Sequence, residues 1–255
     1  MKKKILAIVL CIAMLAVAIV GGTLAYFTDE DAQLNVMTTG KVDIEQLEEQ
    51  RNANGGLEPF VQDKPLMPAV YADGVTDSNF IQDGYLNPGV KNAVDKIITV
   101  KNSADAGAIN QDAYVRTILA FETNVEYEEN TTNVLRDGKE IFDTYIGTVG
   151  SFKLLNRAPI TIDGVQYVLA VKLYENPLVP GEVSEPSLKQ IYMAPEANNE
   201  VAILFGSDYT IIALSQGTQT AGFDSAEQAL NAAFGDLETI EEAKLVEWLR
   251  AAQKN

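Results

Sequence analysis

The chain reads as a mostly β protein, an antiparallel β-sandwich of jelly-roll type with two C-terminal helices and long loops. Three observations predict this. Short runs rich in β-branched and alternating apolar residues recur through the middle of the chain. Tight-turn dipeptides separate them, among them Asp137-Gly138, Asp163-Gly164 and Pro180-Gly181. The last 35 residues then change from strand periodicity to helical periodicity. Eight or nine short strands joined by such turns, followed by two helices, favour a sandwich over a parallel α/β sheet.

The elements follow in order. Residues 32–38 alternate through Leu34 and Val36, and residues 41–48 alternate through Val42, Ile44 and Leu47, with Thr39-Gly40 as the turn between two short strands. Residues 49–87 lack periodicity. Asn54-Gly55-Gly56, Pro59, Pro65, Pro68, Asp73-Gly74 and Asp83-Gly84 punctuate them, which predicts a long irregular loop. Asn87-Pro88-Gly89 turns the chain into a strand over 93–101, centred on Ile97-Ile98-Thr99-Val100. A polar loop over 102–111 leads to a strand over 113–123. Val115, Leu119 and Phe121 share one of its faces; Tyr114, Arg116 and Ile118 share the other.

Two hairpins come next, centred on Asp137-Gly138 and Asp163-Gly164, because Asp-Gly suits a type I′ turn with positive φ at both central residues. The second hairpin returns to about Tyr174, Val179-Pro180-Gly181-Glu182 turns, and strands over 188–193 and 209–215 complete the sheets. Asp224-Ser225-Ala226-Glu227 caps a helix whose apolar stripe is Ala226, Ala229, Leu230 and Ala233, and Gly235 ends it. Thr239-Ile240-Glu241-Glu242 has the form of a capping box for a second helix with Leu245, Trp248, Leu249 and Ala252 on its apolar side. Each stripe is expected to dock on the edge or face of a sheet.

The N-terminal residues are organised differently. Met1-Lys2-Lys3-Lys4 precedes an apolar run of 16 residues, Ile5 to Val20, and a small-residue exit. That is the anatomy of a secretory signal peptide, and the run is short for a membrane span of roughly 20 residues. Thr23-Leu24-Ala25 supplies small residues at −3 and −1, so cleavage is expected between Ala25 and Tyr26. The expected organisation is a signal peptide over 1–25, a β-sandwich domain over 26–220 containing the loop 49–87, and a helical appendage over 221–255. The membrane is then met only through the signal peptide before cleavage, and a signal peptidase is a partner during export.

Gly21-Gly22-Thr23-Leu24-Ala25-Tyr26-Phe27-Thr28-Asp29 resembles the alternative signal segment of Gram-positive proteins processed by the SipW signal peptidase. Thr39-Gly40-Lys41-Val42-Asp43-Ile44 resembles the second piece of the same pattern. The resemblance is to TasA-like biofilm matrix proteins and camelysin-like surface proteins. It is specific over residues 1–48. Pro88-Gly89, Val100-Lys101-Asn102, Tyr114-Val115-Arg116 and the segment 220–235 resemble a clostridial-type branch exported by the same kind of signal. The resemblance implies a jelly roll with flanking helices, and donor-strand assembly through a free arm carrying Phe27, Leu34 and Val36, with export cleavage as the switch. It implies a secreted protein of the cell surface or extracellular matrix, whose partner is itself or another matrix protein. The camelysin side of it implies a metallo-endopeptidase as the alternative, and jelly rolls also serve as adhesins and glycan-binding modules.

Composition bears on these alternatives. The chain has 36 acidic and 19 basic residues, a net charge of −17, and removal of the three N-terminal lysines deepens it to −20. Such a surface repels nucleic acid and anionic membrane. There is no histidine, so Ser-His-Asp catalysis and the His-Glu-x-x-His zinc helix are excluded. The single cysteine, Cys11, leaves with the signal peptide, which rules out an intramolecular disulfide in the mature chain. No enzyme activity and no catalytic residue are expected. Calcium is the one cation class the composition suits, with Asp29-Glu30-Asp31 or Asp73, Asp77 and Asp83 as oxygen donors, although no EF-hand spacing joins them. Arg116, within a strand, is expected to pair with a neighbouring acid. Asn130-Thr131-Thr132 has the form of a glycosylation acceptor, a motif too frequent to carry weight.

Overall fold

A computed structural model describes residues 28–30, 42–62, 64–103, 110–123, 135–136, 139–140, 146–197 and 209–253. In chain order the strands are β1 (Thr28–Glu30), β2 (Ile44–Arg51), β3 (Leu57–Pro59), β4 (Val70–Tyr71), β5 (Ile81–Gln82), β6 (Tyr85–Leu86), β7 (Val90–Lys91), β8 (Val94–Asn102) and β9 (Ala113–Thr123). They continue with β10 (Leu135–Arg136), β11 (Lys139–Glu140), β12 (Ile146–Gly150), β13 (Lys153–Leu154), β14 (Ile160–Ile162), β15 (Val165–Leu178), β16 (Leu188–Met193) and β17 (Ile211–Gln219). The helices are α1 (Ala226–Phe234) and α2 (Glu242–Ala252).

Two antiparallel sheets face each other. The first runs β1-β17-β9-β15-β13, with β14 also on β15; the second runs β12-β16-β8-β2-β3. Strands pair from the two ends of the chain inward: β1 with β17, β8 with β16, β9 with β15. That nesting is the jelly-roll pattern expected from the sequence, with β2 added at the free side of β8. Leu119, Phe121, Val168, Ala170 and Ala213 of the first sheet and Val94, Ile98, Leu188 and Ile191 of the second form one buried cluster between them.

β9 is buried on both faces because the first sheet is the middle layer. Val115, Leu119 and Phe121 face the second sheet, while Ile118 and Ala120 lie under the helices. The two faces match the alternation of the sequence. α1 rests on β9, β15 and β17, and α2 on β14 and β17. Leu230, Leu245 and Leu249 are fully buried there, with Phe234 and Trp248 edge to face at 6.4 Å. α1 starts where predicted: Ser225 Oγ accepts from Gln228 N at 3.2 Å. Gly235, at φ 101°, ends it in a conformation that suits glycine alone.

α2 departs from its signal. The Thr239 capping box does not form; the helix begins at Glu242 with Glu241 as an N-cap whose side chain makes no cap bond. Asp236 takes over the local turn. Its carboxylate accepts from Glu238 N at 2.9 Å, and its carbonyl accepts from Ile240 N at 2.8 Å.

The segment 49–87 is more ordered than its composition suggests. β2 extends to Arg51 and forms a hairpin with β3 through Asn52–Gly56, where the Asn52 side chain accepts from Asn54 N and Gly56 N. β5 and β6 form a second hairpin across Asp83 (φ 52°) and Gly84 (φ 75°), and β4 pairs with β7. The Asp163-Gly164 hairpin forms as expected, at φ 50° and 89°, and β15 runs on past Tyr174 to Leu178. β10 and β11 pair on either side of residues 137–138. The expected strand over 32–38 lies outside the described residues.

Candidate functional site

The sequence-derived candidates centre on the N-terminal arm. Ala25, Tyr26, Phe27, Leu34 and Val36 lie outside the described residues, as does Asn130-Thr131-Thr132. The part of the arm that is described, β1, is an edge strand. Thr28 faces Thr218, Asp29 faces Gly217 and Glu30 faces Gln216. The next described residues, from Val42 on, lead into β2 of the second sheet. There Val42 and Ile44 are buried with Val100, Ala113, Val115, Tyr174 and Leu178.

Gly217 of β17 lies under the second sheet: a Cβ there would stand 3.0 Å from Ile44 Cγ2, so the absence of a side chain lets β17 pack closely on the start of β2. Among the described residues, β17 carries a strand on its outer side only over Gln216–Thr218; Ile211–Ser215 carry none. An edge of this kind presents main-chain donors and acceptors to any extended segment that reaches it.

A second cluster ties the segment 49–87 to the second sheet. Arg51 grips Asp95 with two nitrogens, Nε to Oδ2 at 2.7 Å and NH2 to Oδ1 at 2.8 Å. Gln190 donates to Asp95 Oδ1 at 2.8 Å and accepts from Leu86 N at 2.7 Å. The Tyr85 ring lies 4.2 Å from the Arg51 guanidinium and 4.9 Å from Lys189 Nζ. Burial works against charge on Asp95, but the hydrogen bonds and charge of Arg51, joined by Gln190, outweigh it and hold the carboxyl below its ordinary range. Arg51 is correspondingly pushed up by its bond to Asp95. Among the described residues, six of the eight exposed large apolar side chains lie on the same segment: Leu57, Val61, Met67, Val70, Tyr71 and Ile81.

Two arginines fasten the helices to the sheet. Arg116 is buried beneath α1. It donates to Gln216 Oε1 at 2.8 Å, to Asn231 Oδ1 at 3.1 Å and through two nitrogens to Gly235 O at 3.2 Å. Its guanidinium sits at the C-terminal end of α1, where a cation complements the helix dipole. Arg157 donates to Leu237 O at 2.7 Å on the turn that follows, and burial lowers its pKa against the pull of Glu242 and Glu238.

Asp83 sits in a hairpin turn and Asp77 opens a short 3-10 turn. Among the described residues no three acidic, histidine or cysteine side chains are grouped to hold a metal, and no helix is long and apolar enough to cross a membrane. Arg51, Asp95 and Gln190 escaped the sequence reading because residues 51, 95 and 190 meet only through pairings of β2 and β16 with β8. No local spacing announces them. No protein-family model, no curated protein and no solved structure matches the chain.

Proposed function

We propose that this chain is a secreted, acidic structural protein of the cell surface or extracellular matrix that assembles by exchanging its N-terminal arm between copies. One observation carries the reading: β1 is an edge strand on β17, beside an outer stretch, Ile211–Ser215, that no described strand covers. The pairing on a neighbour is the same as the pairing within one copy, so exchanging one for the other costs little. A neighbour's arm that continued the register past Glu30 would set Leu34 opposite Ile212. The signal-like residues 1–25 and the resemblance of residues 1–48 to SipW-dependent matrix proteins support the same reading. Before cleavage the arm is tethered; after cleavage it is free to cross. The charge of −20 on residues 26–255 keeps single copies apart until arms engage, and salt or calcium screening favours association.

The experiment compares residues 26–255 with residues 38–255 by analytical ultracentrifugation over a concentration series. The account expects the longer protein to form multimers and the shorter to remain a folded monomer. A monomeric longer protein at high concentration refutes arm exchange.

A further inference from the structure

The outer edge of β17 meets a side chain where it meets no described strand. Glu122 N donates to Thr210 O at 3.2 Å, and the β9–β17 register goes on to pair Ile211 with Phe121 and Ala213 with Leu119. Hydrogen-bonded pairs alternate along an antiparallel ladder. Ile212 and Leu214 therefore bond to β9, while Ile211, Ala213 and Ser215 turn their main-chain groups away from it. Ala213 O thus faces the outer edge. It accepts from Gln46 Nε2 of β2 at 3.2 Å. Gln46 does for this carbonyl what the N–H of a neighbouring strand would do.

The carboxamide is held in that pose. Gln46 stands on the face of β2 that carries Ile44, and Ile44 lies against Gly217 of β17. Ser215 Oγ donates to Gln46 Oε1 at 2.8 Å, and Gln46 Nε2 donates to Glu48 Oε1 at 3.2 Å. Glu48 Oε2 accepts in turn from Lys96, whose side chain is only 10% exposed and whose Nζ lies 4.2 Å from the Phe60 ring. A sheet-facing position governed by packing alone would carry an apolar residue. A carboxamide clamped between Ser215 and Glu48 and aimed at a strand edge protects that edge instead.

We infer that Gln46 is a guard: in the single copy its carboxamide satisfies the β17 edge at Ala213, and it gives way when an extended arm pairs there. The inference rests on the arm-exchange reading and specifies how that exchange is regulated. The register of β1 on β17, continued past Glu30, sets residue 33 opposite Ala213 in a pair of the hydrogen-bonded kind. The N–H of the arm and the Gln46 carboxamide then compete for one carbonyl. Pairing replaces one bond at Ala213 by another and gains nothing there. The guard raises the concentration at which copies join and keeps unrelated strands off the edge.

Sedimentation of residues 26–255 tests this on wild type, Gln46→Ala and Ser215→Ala, with amide hydrogen exchange over Ile211–Ser215 read by mass spectrometry on each. Without Gln46, Ala213 O has only water in the single copy, so pairing gains one net hydrogen bond. The dissociation constant should fall about 3- to 10-fold. Ser215→Ala leaves the carboxamide in place but unclamped, and should shift the constant the same way by less. In each protein association should slow exchange over Ile211–Ser215. Equal constants, or weaker association of Gln46→Ala, overturn the guard and leave arm exchange standing. Tighter association without slower exchange over Ile211–Ser215 comes from another surface and overturns it too. If neither wild type nor variant associates, arm exchange fails and the guard fails with it. Should Gln46→Ala not fold, Ser215→Ala decides by the same criteria.

Discussion

Replacing Arg116 by leucine tests how the helical layer is held. Arg116 is 2% exposed, and four of its hydrogen bonds reach three oxygens, on Gln216, Asn231 and Gly235. Leucine fills much of the volume and supplies no donor, so three buried acceptors lose a charged partner. An unsatisfied buried acceptor costs about 1–3 kcal/mol, and relaxation of the α1 terminus recovers part of it. The net loss should be about 3–4 kcal/mol, some 10 °C in melting temperature at the 2–4 °C per kcal/mol usual for a domain of about this size. Urea unfolding followed by far-UV circular dichroism should show a lower midpoint at unchanged slope. Arg116→Lys should recover less than half of the loss, because a point charge cannot reach oxygens on both β17 and α1. If Arg116→Leu costs less than about 1 kcal/mol, the guanidinium does not join the helices to the sheet.

Other perturbations read other parts of the fold. Asp95→Asn should lower stability by about 1 kcal/mol at neutral pH, because its partner Arg51 is partly exposed and solvent screens the pair. The carboxyl of Asp95 is held below its ordinary value, so its contribution is complete above about pH 5 and fades as acid protonates it. Wild type and variant should therefore converge as the pH falls through the depressed value of Asp95, and a gap that widens in acid contradicts this sign. Gly147→Val should cost about 1–3 kcal/mol, since a Cβ there falls 2.1 Å from the ring of Tyr192 on the paired strand; a neutral effect in thermal melts would show that the ring moves aside freely. Leu245→Ala, at a fully buried position in α2, should cost about 2–5 kcal/mol, whereas an appendage that only brushes the sheet would lose less than 1.

Legibility in the sequence followed the range of the forces involved. The Asp163-Gly164 turn, the two faces of β9, the span Leu188–Met193 and the Ser225 cap are set within a few residues, and each formed where expected. The Thr239 box failed because Asp236, three residues earlier, captures the same turn. Order in 49–87 was hidden because its two-residue pairings and the Gln190–Leu86 bond, 104 residues apart, depend on the finished sheet. The inward face of β2 misled in another way. Gln46, Glu48 and Gln50 alternate like a solvated surface, yet Gln46 and Gln50 place their amides against neighbouring strands and Glu48 pairs with a buried lysine. Polar residues at period 2 do not reveal which side is wet.

Arm exchange is tested most directly by a disulfide trap in its own register. Residues 26–255 contain no cysteine, so Thr28→Cys and Thr218→Cys introduced together in one chain supply the only thiols, and peptide mapping of each band identifies the 28–218 bond. The two positions are directly paired across β1 and β17, within disulfide reach. Oxidation of concentrated protein, resolved on a non-reducing denaturing gel, distinguishes the two arrangements. Exchange between copies predicts a ladder of covalent multimers that collapses on reduction. A single monomeric band carrying an internal bond at every concentration means that the arm serves only its own sandwich, and contradicts the account.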